Sequence, residues 1–209
     1  MKLGKISPQA ILFDLDGVLV DACDWHYEAL NNSLLCFGYS AIKREDHIST
    51  FNGLPTRVKL KILGVSDEDA LKINEKKQKY TIDIIKSNAT IMEEKIELHE
   101  YLKSQGIKIA CVTNSIKETA TEMLVSTGQM SYIDLLVTNE QIARNKPNPD
   151  CYNYAIETLG VNPNKCLCVE DSPKGIEAAK ASVASHLWIV ENSSEVNKNN
   201  YVKLVGRKL

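Results

Sequence analysis

What this sequence lacks narrows its class before anything present is read. No apolar run approaches the ~20 residues that a membrane-crossing helix needs, so no membrane partner is expected. Neither sign of charge is in excess: 25 Lys and Arg stand against 27 Asp and Glu, with a formal net charge of -2 and a pI near 6.1. So balanced a chain has no general attraction for nucleic acid, and any affinity for an anion must come from a local site. The opening MKLGKISPQAILFDLDG reaches acidic residues too soon for a secretory signal, and cytoplasm is the expected compartment. The closing Arg207-Lys208-Leu209 differs from a peroxisomal Ser-Lys-Leu address at its first residue and reads as an ordinary charged tail. Internal repeats and low-complexity tracts are missing too.

The 6 cysteines lack the grammar of a zinc knuckle. Cys166-x-Cys168 has one residue between its thiols rather than two, and no His pair completes it. Cys111, Cys166 and Cys168 lie in apolar runs, where a thiol behaves as a small hydrophobe. Reduced thiols, buried or incidental, are expected.

What is present is a series of short apolar runs: 10–13, 107–112, 135–137, 166–169 and 187–190. Each has strand length and is nearly continuous, the pattern of strands covered on both faces. Helical segments at 92–104, 117–126 and 150–159 close near Gly106, Gly128 and Gly160. This alternation predicts an α/β fold, a Rossmann-like parallel sheet with helices on both faces. From about residue 22 to 88 the strand signal disappears. Ala29, Leu30, Leu34 and Phe37 form a helical stripe, and 67–87 reads as further charged helix. The expected organisation is a core of 1–21 plus 89–209, interrupted by a helical insertion over 22–88. The polar stretch 191–200 reads as a surface loop.

Ligands of open parallel sheets bind beyond the carboxyl ends of the strands, and polar residues gather at those ends. Asp14 and Asp16 follow the first run; side chains two apart on a strand share a face, so their like charges call for a cation or a shared proton. Glu170-Asp171-Ser172 follows the fourth run and adds carboxylate oxygen of the kind Mg2+ prefers. A plainer reading coexists with this one, because Ser172-Pro173 is also good helix-start grammar. Thr113-Asn114-Ser115 follows the second run; Ser115-x-x-Glu118 matches a capping box, and free N–H groups at a helix start suit phosphate. Lys146 stands in Asn145-Lys146-Pro147-Asn148-Pro149, framed by proline-restricted neighbours that suit a fixed positive charge.

Phe13-Asp14-Leu15-Asp16-Gly17-Val18-Leu19-Val20-Asp21, Val112-Thr113-Asn114-Ser115, Lys146-Pro147-Asn148-Pro149-Asp150 and Val169-Glu170-Asp171-Ser172 together resemble the four motifs of the haloacid dehalogenase superfamily. They occur in order and span nearly the whole chain. The insertion after the first motif resembles the helical cap of the beta-phosphoglucomutase and phosphoglycolate phosphatase branch. The resemblance implies a Mg2+-dependent phosphomonoester hydrolase acting on a small phosphorylated metabolite, with a sugar phosphate among the substrates expected and a monomer as the expected state. It implies Asp14 as a nucleophile that forms an aspartyl-phosphate. Asp16 would be the general acid and base. Thr113 and Lys146 would hold the phosphoryl group. The metal would be held by Asp14, the Asp16 backbone carbonyl and Asp171, with Glu170 in or just behind that shell. The superfamily's dehalogenases lack an aspartate at the Asp16 position, so its presence here implies phosphoryl chemistry.

The same resemblance offers substrate contacts at Asn114, His26, Gly53 and Arg57. His26 resembles a position near the hinge in phosphosugar mutases, yet it also falls on the stripe with Ala29 and Leu30. Lys76 is a weaker candidate among Lys72, Lys77 and Lys79, which read as a solvated helix face. Two departures stand out. Relatives usually carry a Pro-Gly turn where this chain has Ala89-Thr90-Ile91-Met92, and a glycine near Ser182-Val183-Ala184. A phosphomutase remains the alternative within the family. A non-catalytic binding protein on the same fold is the alternative outside it, which loss of Asp14, Asp16 or Lys146 would have favoured.

Overall fold

The structure is a computed structural model and describes residues 7–51 and 54–206. Gly53, with Asn52, and the tail at 207–209 lie outside the described residues. The chain divides into two compact units, Ala22–Ala89 and the segments flanking it.

The helical unit contains α1 (Cys23–Cys36), a short α2 (Arg44–Asp46) that runs into a π turn (His47–Phe51), α3 (Thr56–Ile62) and α4 (Asp67–Asn88). Ala29, Leu30, Ser33 and Leu34 recur at one-turn spacing, which gives α1 a single buried stripe. That stripe joins Ile42, Phe51, Leu60, Val65 and Ile73 in one core, and α1 packs on α4. The Ser66 hydroxyl caps α4 by accepting from the Asp69 N–H.

In the α/β unit the described strands are β1 (Ala10–Phe13), β2 (Lys108–Val112), β3 (Leu135–Val137), β4 (Cys166–Glu170) and β5 (His186–Ile189). They pair in parallel in the order β3-β2-β1-β4-β5. The helices are α5 (Glu93–Ser104), α6 (Lys117–Ser126), α7 (Asp150–Leu159), α8 (Pro173–Ala181) and α9 (Lys198–Leu204). Every residue of β1 is buried, and the pleat explains how both faces are used. Ala10 and Leu12 join Ala110, Val112, Cys168, Tyr152 and Ala178 on the face of α7 and α8. Phe13 points the other way and meets His99 of α5 edge-on, with centroids 5.8 Å apart. The chain thus adopts the Rossmann-like α/β fold expected from its apolar runs. Among the described residues no helix is long and apolar enough to cross a membrane.

Three local expectations need correction. The stretch 191–200 is no plain loop: it holds a 3-10 turn at Ser193–Glu195 and the start of α9, with Asn192 and Asn197 as side-chain caps. The buried Lys95 amine of α5 donates to the Ser193 and Val196 carbonyls and ties the segment down. The capping box at Ser115 does not form, because α6 starts one residue after Ile116 and the Lys117 N–H is met instead by Glu140 Oε2 at 2.5 Å. Lys77 is buried rather than solvated, since α4 turns it inward with Ile73, Thr81, Ile84 and Ile85. At the sites of the two departures, other contacts hold the backbone. Met92 N–H donates to the Thr127 carbonyl at 3.1 Å, and Val183 N–H to Asn153 Oδ1 at 2.9 Å.

Candidate active site

The strand order reverses between β1 and β4, and a switch point of this kind leaves a crevice at the carboxyl ends. Asp14 follows β1, Glu170 ends β4 and Asp171 comes next. The Asp14 N–H donates to the Val169 carbonyl at 3.0 Å, so the two strand ends are joined at that point. One oxygen from each of Asp14, Glu170 and Asp171 lies within 4.8 Å of the others.

Lys146 enters this cluster from the loop before α7. Its Nζ donates to Asp14 Oδ1, Glu170 Oε1 and the Val112 carbonyl, each at 2.7 Å. Asn114 holds that loop by both ends of its amide, accepting from the Lys146 N–H at 3.1 Å and donating to the Lys146 carbonyl at 3.3 Å. Tyr152, in the first turn of α7, donates to Glu170 Oε1 at 2.5 Å, and its ring lies 4.9 Å from the Lys146 ammonium. Glu170 is fully buried, so these donors are what make its charge tolerable there.

Backbone close to these groups leaves no room for side chains. A Cβ on Gly175 would stand 2.0 Å from the Glu170 carboxylate. A Cβ on Gly17 would stand 2.1 Å from Asp171 Oδ2, and Gly17 has φ +86, which favours glycine in any case. Asp16 sits in the turn that Gly17 allows. Its Oδ2 accepts from the Ser115 hydroxyl at 3.0 Å, and the Ser115 N–H in turn donates to Thr113 Oγ1 at 3.0 Å. Asp16, Thr113, Asn114, Lys146, Glu170 and Asp171 are therefore linked to one rim through short contacts or shared neighbours.

The electrostatics carry a clear imbalance. Burial raises the Asp14 carboxyl well above its ordinary value; Lys146 opposes that shift, and Glu170 and Asp16 reinforce it. Burial, then Glu170, pushes Asp171 up to about 6. Burial opposes the Lys146 charge, but Asp14 and Glu170 outweigh it and hold the amine above its usual range. One ammonium does not balance the carboxylates gathered here. Asp171 Oδ1 is buried and, among the described residues, has no hydrogen-bond partner. An orphaned carboxylate oxygen beside an excess of negative charge is what a cation would satisfy, and an all-oxygen donor set fits a hard divalent ion.

The remaining candidates belong to the helical unit. His26 is half-buried on α1, with Nδ1 3.2 Å from Lys77 Nζ. Arg57 is exposed in the first turn of α3. Lys76 lies over the Tyr80 ring at 5.0 Å. Sequence reasoning missed three participants. Ser115 was hidden by its capping grammar and Lys77 by its charged neighbours. Tyr152 had no signal beyond its place two residues after Asn148-Pro149-Asp150.

Residues 11–189 match the model of the haloacid dehalogenase-like hydrolases, and the chain belongs to that family. Within it, the chain is a phosphatase of the beta-phosphoglucomutase and phosphoglycolate phosphatase branch. It is 31% identical to a phosphorylated carbohydrates phosphatase of Thermotoga maritima, over 88% of this chain and 86% of that protein. It is 30% identical to a phosphoglycolate phosphatase of Aquifex aeolicus, over 86% of this chain and 85% of that one. Among solved structures, a proposed beta-phosphoglucomutase of Thermotoga maritima superposes with a TM-score of 0.71 at 26% identity. That match covers 94% of this chain and 91% of the other.

Proposed function

We propose that this phosphatase is a Mg2+-dependent phosphomonoesterase for a small phosphorylated metabolite, working through an aspartyl-phosphate on Asp14. The observation that carries the reading is the Asp14, Glu170 and Asp171 oxygen cluster with Lys146 Nζ at 2.7 Å from two of its members. Mg2+, held by Asp14, Asp171 and the Asp16 backbone carbonyl with Glu170 in or just behind that shell, would neutralise phosphate charge and polarise a phosphate oxygen.

The chain's own residues account for the rest. The Asp14 carboxylate attacks phosphorus, and the bond to the leaving oxygen breaks. Asp16 protonates that oxygen and then takes a proton from the water that attacks the aspartyl-phosphate. The Ser115 hydroxyl on Asp16 Oδ2 keeps the carboxyl turned toward this task. Lys146 stabilises charge on the transferring group, Thr113 adds a hydroxyl, and Asn114 acts on the Lys146 loop. His26 and Arg57, with Gly53, serve substrate selection from the helical unit. Kinship to enzymes named for phosphorylated carbohydrates and phosphoglycolate supports a sugar phosphate or a short phosphorylated acid as substrate.

A second reading, phosphomutase, draws support from the His26–Lys77 contact, because a held imidazole is a ready acid and base for a sugar hydroxyl. One assay separates the two. With Mg2+, a hexose 1-phosphate and a catalytic amount of hexose bisphosphate, free phosphate supports the hydrolase and isomerised product the mutase. Well-folded protein that releases no phosphate from p-nitrophenyl phosphate or acetyl phosphate, and isomerises nothing, overturns both.

A further inference from the structure

The helical unit holds a second cluster of reactive side chains, which the phosphate chemistry leaves unused. Cys23 opens α1, is half-buried, and has its Sγ 3.7 Å from His47 Nε2. His47, in the π turn, is 2% exposed, and its ring is tilted against Tyr27 with centroids 4.6 Å apart. Lys59 of α3 is 8% exposed; burial works against its charge and holds its pKa below the ordinary value, while Cys23 works in the opposite direction. A lysine side chain with so little exposure keeps its charge more readily when an anion stands near it.

The surrounding charges leave that role to the thiol. Arg44 lies over the Tyr27 ring at 5.1 Å and pairs with Asp24 at 2.5 Å. Burial, then Lys59 and Arg44, work against a proton on the His47 ring, while Asp24 works for one. Asp24 is thus already matched by Arg44, and among the described residues it is the Cys23 sulfur that favours the Lys59 charge. A thiol next to buried Lys and His side chains, and still reachable from solvent, has the surroundings of a nucleophilic cysteine.

We propose that Cys23 is a thiolate nucleophile and that Cys23, His47 and Lys59 form a modification site for hydroperoxides and similar soft electrophiles. The sulfur lone pair attacks the proton-bearing oxygen of the hydroperoxide, and the O–O bond breaks. Sulfur gives up two electrons and becomes a sulfenic acid. The departing alkoxide takes a proton from the Lys59 ammonium and leaves as an alcohol.

Cys36 supplies an internal standard, because it is exposed and lies roughly 20 Å further along the same helix at 1.5 Å per residue. Full-length protein is treated with iodoacetamide between about pH 6 and about pH 9, and each cysteine is followed by peptide mass spectrometry. Cys23 is expected to react at least ~10-fold faster than Cys36 at neutral pH, with its rate half-maximal at a lower pH than that of Cys36. In Lys59→Met the advantage disappears while the Cys36 rate is unchanged. Under cumene hydroperoxide, dimedone is expected to trap a sulfenic acid at Cys23 and not at Cys36. A Cys23 rate equal to or below that of Cys36 overturns the proposal. So does a coincident pH profile, which needs no variant and stands even if Lys59→Met fails to fold. Absence of the dimedone adduct overturns it as well.

Discussion

The rim of the sheet and the interior of the helical unit bury charge in different ways. At the rim, Lys146 meets two carboxylates and a carbonyl, Glu170 receives two donors on one oxygen, and Asn114 holds the lysine loop by its backbone. In the helical unit, the buried Lys77 amine lies 3.2 Å from the His26 imidazole, and the charge of buried Lys59 is favoured by the Cys23 thiol. The rim is a cross-braced network in which each polar atom constrains the next. The helical unit places single reactive groups on otherwise apolar helix faces. A network of the first kind suits chemistry that must not vary, and the second suits residues that can change with the substrate or the environment.

The largest effect expected from breaking this contrast is Asp14→Asn. It should lower phosphate release by at least ~10³-fold by removing the nucleophile. Circular dichroism and the thermal midpoint should stay close to those of the parent; retained turnover would remove Asp14 from its proposed role. Next comes Asp171→Asn, which should raise the Mg2+ concentration for half-maximal rate at least ~10-fold. Chelation should abolish activity in the parent, and added Mg2+ should restore it. An unaltered Mg2+ curve in the variant would separate Asp171 from the metal.

The helical unit should respond in a more selective way. Arg57→Ala is expected to raise KM for the physiological phosphate ester about 10-fold, the scale of one charge-assisted hydrogen bond. Hydrolysis of p-nitrophenyl phosphate should stay within about twofold of the parent. Parallel losses on both substrates would place Arg57 with the chemistry instead.

The smallest effect concerns stability. Burial pushes His99 down to about 4, against partial support from its hydrogen bond to Gln129. The folded protein therefore binds this proton less readily than the unfolded chain. The stability concerned is complete above the unfolded value near 6.5 and is lost as pH falls toward 4. The loss amounts to about 3 kcal/mol at most. Urea unfolding from pH 7 to pH 4 should show a steeper decline for the parent than for His99→Leu, and equal slopes would count against this assignment.

Much of the fold could be read from residues because continuous apolar runs such as 10–13 and 166–169 have few alternatives to a doubly covered strand. Helix boundaries at Lys117–Ser126 and Asp150–Leu159 could be read for a similar reason, since apolar period and a following glycine agree. Local grammar failed where two partners competed. Ser115 has a glutamate three residues on, as a capping box requires, but its hydroxyl goes to Asp16, 99 residues away in the chain. Lys77 sits in a charged run, Glu75-Lys76-Lys77-Gln78-Lys79, and only the packing of α4 decides which of these turns inward. Asn192 and Asn197 were signs of a loop that proved to be caps of a turn and a helix.

By itself, then, the order of residues determined the elements, their alternation and the acidic character of the strand ends, because these depend on near neighbours and on period. Tertiary structure alone decided the partners: the Tyr152–Glu170 contact, the three acceptors of Lys146 and the Asp171 oxygen left without a partner among the described residues. Hydrogen bonds and ion pairs act over a few ångströms of space, whatever the distance along the chain. Which atoms come that close is set by how the sheet stacks its strand ends.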